Sequence, residues 1–379
     1  MKMSEPPMNI CHVVTGFGGG VYTSVRQIVS CQRSMGHKVA IVRDFRGPYP
    51  AADLEDYPEN VKFFEWDVPR EISPATDWRA FRRLYGILRR ERPDIVHLHC
   101  AKAGFIGRIA ARMLGIPAVY SPRGLPFYRA DVSGLRRRIY FVLEYLLARF
   151  GGTIVACSGR EFTGVERLTR RRKLISNGID LADIGGDGTR SAHGGAPHPF
   201  TIVTVGLINY ARNPELVSAL ALRSPPDWRW IWIGDGELRK VLDGHPRIET
   251  PGWMPRGEAL HLMSAVDVQL HPSKWEGLPL VVLEGMALGL PVVASNIVGN
   301  ADVIEDGKSG FLIDDDEDYL GVLAELADNE NLRGRIGAAA RRRVEQEFSA
   351  GALVPRWVEL YRDEIARKSR RREAAISGT

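Results

Sequence analysis

The chain has 379 residues, of which 44% are apolar and 26% are charged, an ordinary globular composition at a length that predicts two domains. Its 51 basic and 46 acidic residues leave a net charge of +5, too small an excess to argue for a nucleic-acid partner. No apolar run reaches about 18 residues, so no membrane span is expected. The first eight residues lack the pattern of a signal peptide, and the four cysteines are scattered. A cytoplasmic protein with free thiols is therefore expected.

The chain begins with a strand–helix–strand pattern. Residues 9–15 form an apolar run, a glycine-rich turn spans 16–20, a helical pattern continues to 35, and 38–43 reads as the second strand. The turn lacks the Gly-x-Gly-x-x-Gly spacing, so a dinucleotide site is only weakly indicated. Gly19 and Gly20 either let the backbone approach a ligand or simply form a tight turn.

A central parallel strand is predicted over 93–99, a helix over 103–114 and a further strand over 117–121. His97 fits a core histidine, whereas His99 lies nearer the strand end and is a candidate for the site. Arg123 and Gly124 follow in the next strand-end loop. Residues 134–150 form an amphipathic helix with a basic start. It is either a surface for an anionic or lipid-linked acceptor, with contact to a membrane, or a core helix with a solvated basic edge.

Residues 185–199, rich in glycine, form the one clear linker. Strands over 201–205 and 230–233 then begin a second half with the same alternation of strands and helices. This pattern predicts an α/β protein with two doubly wound, Rossmann-like domains that face each other across a cleft. Ligands of such sheets bind at the carboxyl ends of the strands.

The stretch 271–299 is the most informative in the chain. Pro279 is expected to open a helix whose residues are apolar on all sides except for Glu284, while Glu276 lies in the loop just before it. Amide groups at the helix N-terminus form an anion site suited to a phosphate, and the two carboxylates suit neighbouring hydroxyls. The stretch indicates a nucleotide-sugar site. Alternatively, Glu284 pairs with a core arginine and Glu276 is solvated.

The Glu276-to-Glu284 spacing, within Pro-Ser-x-Trp-Glu-Gly-Leu-Pro-Leu, resembles the Glu-x7-Glu signature of retaining nucleotide-sugar glycosyltransferases of the family-4 type, with the glycosyltransferase-B fold. The likeness extends from about residue 10 to residue 361. It implies that Glu276 contacts the transferred sugar, that Glu284 accepts from the ribose and that Arg212 neutralises the diphosphate. The implied catalytic residues are Glu276, Arg212, His99 and Arg123. The implied donor-binding residues are Gly19, Gly20, Gly206, Arg212, Met254, Lys274, Glu276, Gly277, Leu278, Leu280 and Glu284.

The chain departs from the family pattern at two positions. Leu207 occupies the position of a usual arginine, and Arg123 occupies that of a usual histidine. Neutralisation of the diphosphate would then depend on Arg212, or on Arg123 or Lys274. The resemblance further implies residues 1–184 as an acceptor domain, 200–351 as a donor domain, a C-terminal helix over 352–368 that returns to the first domain, and a polar tail over 369–379.

No metal or other cofactor is expected. The acidic run at 314–317 is explained by capping of the following helix. The expected partners are a nucleotide diphosphate sugar, most simply a UDP-sugar, and a glycan or lipid-linked acceptor in cell-surface polysaccharide or glycolipid synthesis. The expected location is the cytoplasm, including the inner face of the plasma membrane.

Three other functions are consistent with parts of the pattern. A nucleotide-sugar epimerase would need acid–base carboxylates at the strand ends of the first domain, where none is expected. A non-catalytic sugar-nucleotide-binding protein is favoured by Leu207 and Arg123. A nicotinamide oxidoreductase is supported by the glycine turn alone.

Overall fold

A computed structural model describes residues 6–44, 57–68, 73–128, 132–184 and 198–377. The chain divides into two compact units. The first comprises Met1–Asn177 and Ala350–Thr379, and the second comprises Gly178–Ser349. Apart from its last two residues, the predicted linker over 185–199 lies outside the described residues.

The first unit contains a seven-stranded parallel sheet with the order β3-β2-β1-β4-β5-β6-β7. Its strands are β1 (Asn9–Val14), β2 (Lys38–Arg43), β3 (Lys62–Glu65), β4 (Ile95–His99), β5 (Ala118–Ser121), β6 (Thr153–Ala156) and β7 (Arg172–Leu174). Its helices are α1 (Gly19–Ser34), α2 (Pro74–Glu91), α3 (Ala101–Leu114), α4 (Gly134–Leu147), α5 (Gly159–Glu166) and the C-terminal α13 (Ala350–Ser377).

The second unit contains a six-stranded parallel sheet with the order β10-β9-β8-β11-β12-β13. Its strands are β8 (Thr201–Val205), β9 (Arg229–Ile233), β10 (Ile248–Gly252), β11 (Val268–His271), β12 (Val292–Ser295) and β13 (Phe311–Ile313). Its helices are α6 (Leu181–Ile184), α7 (Pro214–Arg223), α8 (Arg256–Ser264), α9 (Leu280–Ala287), α10 (Asn300–Val303), α11 (Tyr319–Asp328) and α12 (Glu330–Glu347).

Each sheet has one point where the strand order reverses. In the first unit it lies between β1 and β4, and in the second it lies between β8 and β11. Loops diverge at such a point and leave a crevice at the carboxyl ends of the strands, where open α/β sheets bind their ligands. The predicted fold class, two doubly wound Rossmann-like domains, is confirmed.

The sequence-based domain boundaries differ from those of the structure. The first unit ends at Asn177 and not at residue 184, because α6 packs against α9 of the second unit. The C-terminal helix begins at Ala350 and continues to Ser377, so the segment expected to be a polar tail is helical through most of its length. No helix in the described ranges combines the length and apolar character that a membrane span requires.

Helix α13 covers one face of the first sheet. Val354, Trp357, Val358, Leu360 and Tyr361 are buried there, packed with residues of β1, β4 and α1. Glu364 adds polar contacts, since it accepts from Thr153 Oγ1 (2.6 Å) and pairs with Arg171 (2.5 Å). The C-terminal helix α13 and the first strand β1 therefore belong to the same hydrophobic core.

Candidate active site

A cluster of polar side chains lies where β8 and β11 end. Arg212 forms an ion pair with Glu276, and its Nη1 atom donates to Ser273 Oγ (3.0 Å) and to His271 Nε2 (3.2 Å). Lys274 N also donates to Ala211 O (2.8 Å), which ties the two loops together. The second sheet thus holds a guanidinium and a carboxylate at its switch point.

Arg212 is the cation of this cluster, and His271 is neutral. Burial, followed by the charge of Arg212, holds the pKa of His271 well below its usual value. An arginine side chain can only donate hydrogen bonds, so His271 Nε2 accepts from it. His271 therefore helps to orient Arg212 and adds no charge of its own.

The same loops form a small aromatic surface. Lys274 Nζ lies 3.8 Å from the centre of the Tyr210 ring, and the Tyr210 and Trp275 rings lie 5.8 Å apart. Lys274, two positions before Glu276 in the sequence, is therefore a second cation of these loops, and a cation–π contact with Tyr210 holds it.

Two glycines allow the loops to approach each other. Gly206 has φ +139°, and a Cβ atom there would lie 3.0 Å from Arg212 Nε. Gly299 has φ +95°, and its Cβ atom would lie 2.7 Å from Gly277 O. Because both values of φ belong to the region that favours glycine, side chains at these positions would displace the loops that carry Arg212 and Glu276.

Helix α9 begins directly after Pro279, so its N-terminal amides form the positive end of the helix dipole. The side chains of Leu278 and Leu280 are buried and fix this turn in the core. The predicted positions Gly277, Leu278 and Leu280 therefore surround a helix N-terminus next to Glu276.

Glu284 is paired separately from Glu276. Arg256 Nε, in the first residue of α8, donates to Glu284 Oε1 (2.8 Å), and Arg256 also lies 3.9 Å from Asp183. The pairing with an arginine that the sequence left open for Glu284 is therefore present, but both side chains are partly exposed, so Arg256 is not a core arginine. Nor is Glu276 a solvated loop residue, since it is bound to Arg212. Met254 lies between β10 and α8, two residues before Arg256.

In the first unit, the loop after β5 holds Arg123. Its Nη1 atom donates to Ser24 Oγ (2.8 Å) and to Asn177, and its Nη2 atom donates to His99 Nδ1 (3.3 Å). Arg123 has φ +57°, a strained conformation for a residue with a side chain. Gly124 N donates to the buried Glu161 (2.9 Å). The predicted positions His99 and Arg123 are thus in contact.

Three histidines of this sheet are buried and neutral. Burial lowers the pKa of His12 to about 4 and, with the Arg123 charge, holds the pKa values of His97 and His99 well below 6.5. The two neighbouring strands bring them together, with His12 opposite His97 in register.

These pKa values predict a loss of stability in acid. Below pH 6.5 these histidines bind protons in the unfolded chain but not in the folded one. The free energy of unfolding therefore decreases as the pH is lowered. A shift of His12 from 6.5 to about 4 corresponds to about 3 kcal/mol, lost as the pH falls through that window. Urea unfolding from pH 7.5 to 4 measures it. The variant His12→Asn should show a shallower decline, and equal slopes would contradict the assignment.

The glycine-rich turn is held by a carboxylate. Gly16 N and Phe17 N donate to the two oxygens of Asp44 (2.9 and 3.1 Å), which follows β2. Gly19 and Gly20 begin α1. A carboxylate thus does lie at a strand end of the first unit, contrary to the sequence-based expectation. It holds the amides of the turn, and burial raises its pKa.

The acidic run caps a 3-10 turn, Asp316–Asp318, that leads into α11, whereas the N-cap of α11 itself, Asp318, makes no side-chain cap bond. Asp315 Oδ1 accepts from Glu317 N (3.2 Å), and Asp314 Oδ1 accepts from Asn296 Nδ2 (2.9 Å). Within the described part of the chain, the one group of three potential metal ligands is His12, His97 and His99.

Several residues of these clusters had no signal in the sequence. Arg256 precedes Glu284 by 28 positions, and His12 precedes His99 by 87. His271 and Ser273 lie inside the stretch 271–299. Because parallel sheets bind ligands at the carboxyl ends of their strands, His271 could have been predicted as a site residue.

Two parallel, doubly wound units define the glycosyltransferase-B class of folds, and solved structures agree. Sucrose-phosphate synthase from Thermosynechococcus elongatus matches with a TM-score of 0.81 at 17% identity, covering 95% of this chain and all of that one. HepE of Anabaena, solved with UDP-glucose, matches with a TM-score of 0.76 at 20% identity, covering 94% of this chain and all of that one.

The sequence matches two family models, the glycosyl transferase 4-like domain over residues 19–178 and the glycosyl transferases group 1 over residues 189–343. The chain belongs to this glycosyltransferase family, so the predicted family is confirmed, as is the prediction that the chain is a glycosyltransferase. It is 29% identical over 342 residues to an Escherichia coli UDP-Gal:alpha-D-GlcNAc-diphosphoundecaprenol alpha-1,3-galactosyltransferase, covering 83% of this chain and 87% of the relative. It is also 29% identical over 351 residues to a GDP-mannose-dependent alpha-mannosyltransferase of Mycolicibacterium smegmatis, covering 86% and 88%.

Proposed function

We propose that this glycosyltransferase transfers a hexosyl group from a UDP-sugar, with retention, to a glycan or lipid-linked acceptor in cell-surface polysaccharide or glycolipid synthesis. The observation that carries the proposal is the Arg212–Glu276 pair beside the N-terminus of α9, at the switch point of the second sheet. The names of the Escherichia coli relative and of the HepE complex support a UDP-sugar.

The chemistry requires stabilisation of a leaving diphosphate. The bond between the anomeric carbon and the phosphate oxygen breaks with its electron pair on the oxygen, and the acceptor hydroxyl forms the new bond on the same face of the sugar. The departing phosphate oxygen takes the hydroxyl proton. Arg212, aided by Lys274 and the amides of Gly277, Leu278 and Leu280, stabilises the growing charge. No metal has a role in this scheme.

The two carboxylates then serve the uncharged parts of the donor. Glu276 accepts from hydroxyls of the transferred sugar, and Glu284 accepts from the ribose. Met254 offers backbone groups to the base two residues from Arg256, the partner of Glu284. Gly206 allows Arg212 its close approach. In the first unit, Gly19 and Gly20 have a donor-binding role, and Arg123, positioned with His99, acts in the transfer step.

A melting screen tests the function. Ligands that bind the folded chain raise its apparent stability by mass action. UDP, GDP and their sugars should raise the melting temperature, with the UDP compounds giving the larger shift, and NAD should not. UDP release from UDP-glucose or UDP-galactose then separates an enzyme from a binding protein, and recovery of a nucleotide sugar with one ring carbon inverted would instead indicate an epimerase.

We expect Glu284→Gln to weaken UDP binding at least about tenfold, equivalent to about 1.4 kcal/mol, while the chain stays folded. The amide keeps the shape of the side chain but loses the charge that accepts strongly from two ribose hydroxyls. Calorimetric titration with UDP measures the effect. The control is Glu249→Gln, which alters an exposed ion pair with Arg229 in the same unit. Unchanged affinity in the Glu284 variant would refute the ribose role.

Helix α4 suits the proposed membrane location. Leu135, Ile139, Val142 and Leu146 repeat at helical spacing and are 47–70% exposed. The opposite face is anchored by a buried ion pair between Glu144 and Arg108 (2.6 Å). The exposed Arg136, Arg137 and Arg138 lie in the first turns of the same helix. An apolar stripe with flanking arginines fits the interface of an anionic bilayer.

The double variant Leu135→Ser, Ile139→Ser should reduce binding to phosphatidylglycerol vesicles about tenfold or more, because it removes two apolar side chains from the stripe. Sedimentation with vesicles measures this at low salt. Leu222→Ser, which alters an exposed leucine of the second unit, should bind like the parent chain. Equal sedimentation of all three proteins would show that α4 does not contact the bilayer.

A further inference from the structure

The three buried histidines of the first sheet form part of a continuous chain of hydrogen bonds. All six of their ring nitrogens have a partner within the unit. The chain runs from Arg123 to His99 (3.3 Å), His12 (3.0 Å), Gln32 (2.9 Å), Tyr361 (3.4 Å), His97 (2.6 Å) and Ser121 (2.9 Å). It joins the loop after β5 to the C-terminal helix α13 through the centre of the core.

Because it can only donate, Arg123 favours one direction of hydrogen bonding along this chain. A guanidinium can only donate, so His99 Nδ1 accepts and the proton of neutral His99 lies on Nε2. His99 then donates to His12 Nδ1, and His12 donates to the carbonyl of Gln32. The Gln32 amide donates to the Tyr361 hydroxyl, which donates to His97 Nδ1. Each histidine is thereby held in one tautomer.

A metal ion is a poorer explanation of the cluster. An ion would have to replace hydrogen bonds that already satisfy all six nitrogens. It would also lie beside the guanidinium of Arg123, whose positive charge opposes a cation. The hydrogen-bond chain uses every nitrogen and needs no second cation beside Arg123.

We propose that the Tyr361 hydroxyl, on the C-terminal helix, positions the guanidinium of Arg123 through this chain of hydrogen bonds. If the Gln32 amide rotated, the direction of the chain could reverse, and His99 Nδ1 would then carry a proton facing the donor Arg123. Because Tyr361 accepts from Gln32 while donating to His97, the Gln32 amide cannot rotate alone, and the bonds of Tyr361 and His97 would have to reverse with it. Arg123 needs such support, because its backbone is held at φ +57°.

The functional part of this inference rests on the proposed role of Arg123 in sugar transfer. Tyr361 is then a positioning residue. It lies in the core, where its ring packs beside Trp357 and its side chain is fully buried. A packing role alone would require its ring and not its hydroxyl, so Tyr361→Phe separates the two roles.

A double-mutant cycle with UDP release from UDP-glucose tests the coupling. We expect Tyr361→Phe to lower kcat about tenfold, with KM changed less than about twofold, because Arg123 is mispositioned. In the Arg123→Met background, Tyr361→Phe should have no further effect on kcat. If the loss of kcat in the double variant equals the product of the losses in the two single variants, the residues act independently and the proposal is wrong.

The control variant is Thr153→Val. It removes another buried hydrogen bond between α13 and the sheet, to Glu364, without touching the chain. It should lower the melting temperature as Tyr361→Phe does but leave kcat unchanged. A loss of kcat equal to that of Tyr361→Phe would show that loosening of α13 is sufficient to explain the effect.

Nitrogen NMR of histidine-labelled protein tests the chain independently of catalysis. Arg123→Met should alter the ring-nitrogen shifts of His97, and Tyr361→Phe should alter those of His99, although neither pair is in contact. Unchanged shifts would refute the coupling. Coupled shifts with full activity of Arg123→Met would instead refute the catalytic role of Arg123, so the two failures are distinguishable.

Discussion

A chain that ends at Ser349 should lose the fold of its first unit and all transferase activity. The truncation removes α13 and with it five buried apolar side chains: Val354, Trp357, Val358, Leu360 and Tyr361. Each contributes roughly 1.5–3 kcal/mol by its burial. Their sum is comparable with the whole stability of a typical domain, about 5–15 kcal/mol. His97 and Thr153 would also lose partners.

Scanning calorimetry and an activity assay measure this effect. The transition of the first unit should disappear from the calorimetric trace, while the second unit, which contains no residue of α13, should still melt cooperatively. A chain ending at Lys368 is the control, because the next residues, Ser369 and Arg370, are exposed. It should melt and react like the full chain. A stable, active chain ending at Ser349 would show that α13 is dispensable.

The substitution Arg212→Met should lower kcat about 100- to 1000-fold, the usual effect of removing one group that stabilises transition-state charge. Arg212 is the cation bonded to Glu276, Ser273 and the neutral His271, so His271 cannot replace its charge. The fold should persist, because Arg212 and Glu276 are both partly exposed. Steady-state release of UDP from UDP-glucose measures the change.

Two further variants make this result specific. Arg212→Lys keeps the charge but loses the planar fork, so it should recover only part of the activity. Arg229→Met disrupts an exposed arginine–glutamate pair of the same unit and should react like the parent chain. Activity in Arg212→Met close to that of the parent chain would contradict the proposed neutralisation of the diphosphate by Arg212. Lys274 would then be the next cation to test for that role.

The contrast between the two glutamates shows how far the candidate site could be predicted. Their spacing and the apolar helix that carries Glu284 indicated a ligand site at a helix N-terminus, because these are local properties of one short stretch of sequence. Their partners could not be predicted. Arg212 reaches Glu276 from the loop after β8, and Arg256 reaches Glu284 from the start of α8, so the packing of both beside α9 decides those distances.

Helix α4 shows a different limit. Its periodicity predicted an amphipathic helix correctly, but an apolar stripe looks the same in sequence whether it faces a core or the solvent. The buried Arg108–Glu144 pair decides the matter, because it turns the polar Glu144 inwards and leaves Leu135 and Ile139 outside. Burial of that pair depends on α3, because α3 carries Arg108, which precedes Glu144 by 36 positions in the sequence.

The sequence by itself determined the family, the alternation of strands and helices, and hence the two doubly wound sheets, because each strand and helix carries its own apolar period. Only the tertiary structure decided which strands are neighbours. The order β2-β1-β4 places His12 beside His97, and α13 brings Tyr361 to the same point. Strand order and helix docking follow from the packing of the whole unit, so no local pattern could reveal the chain of hydrogen bonds that joins Tyr361 to Arg123.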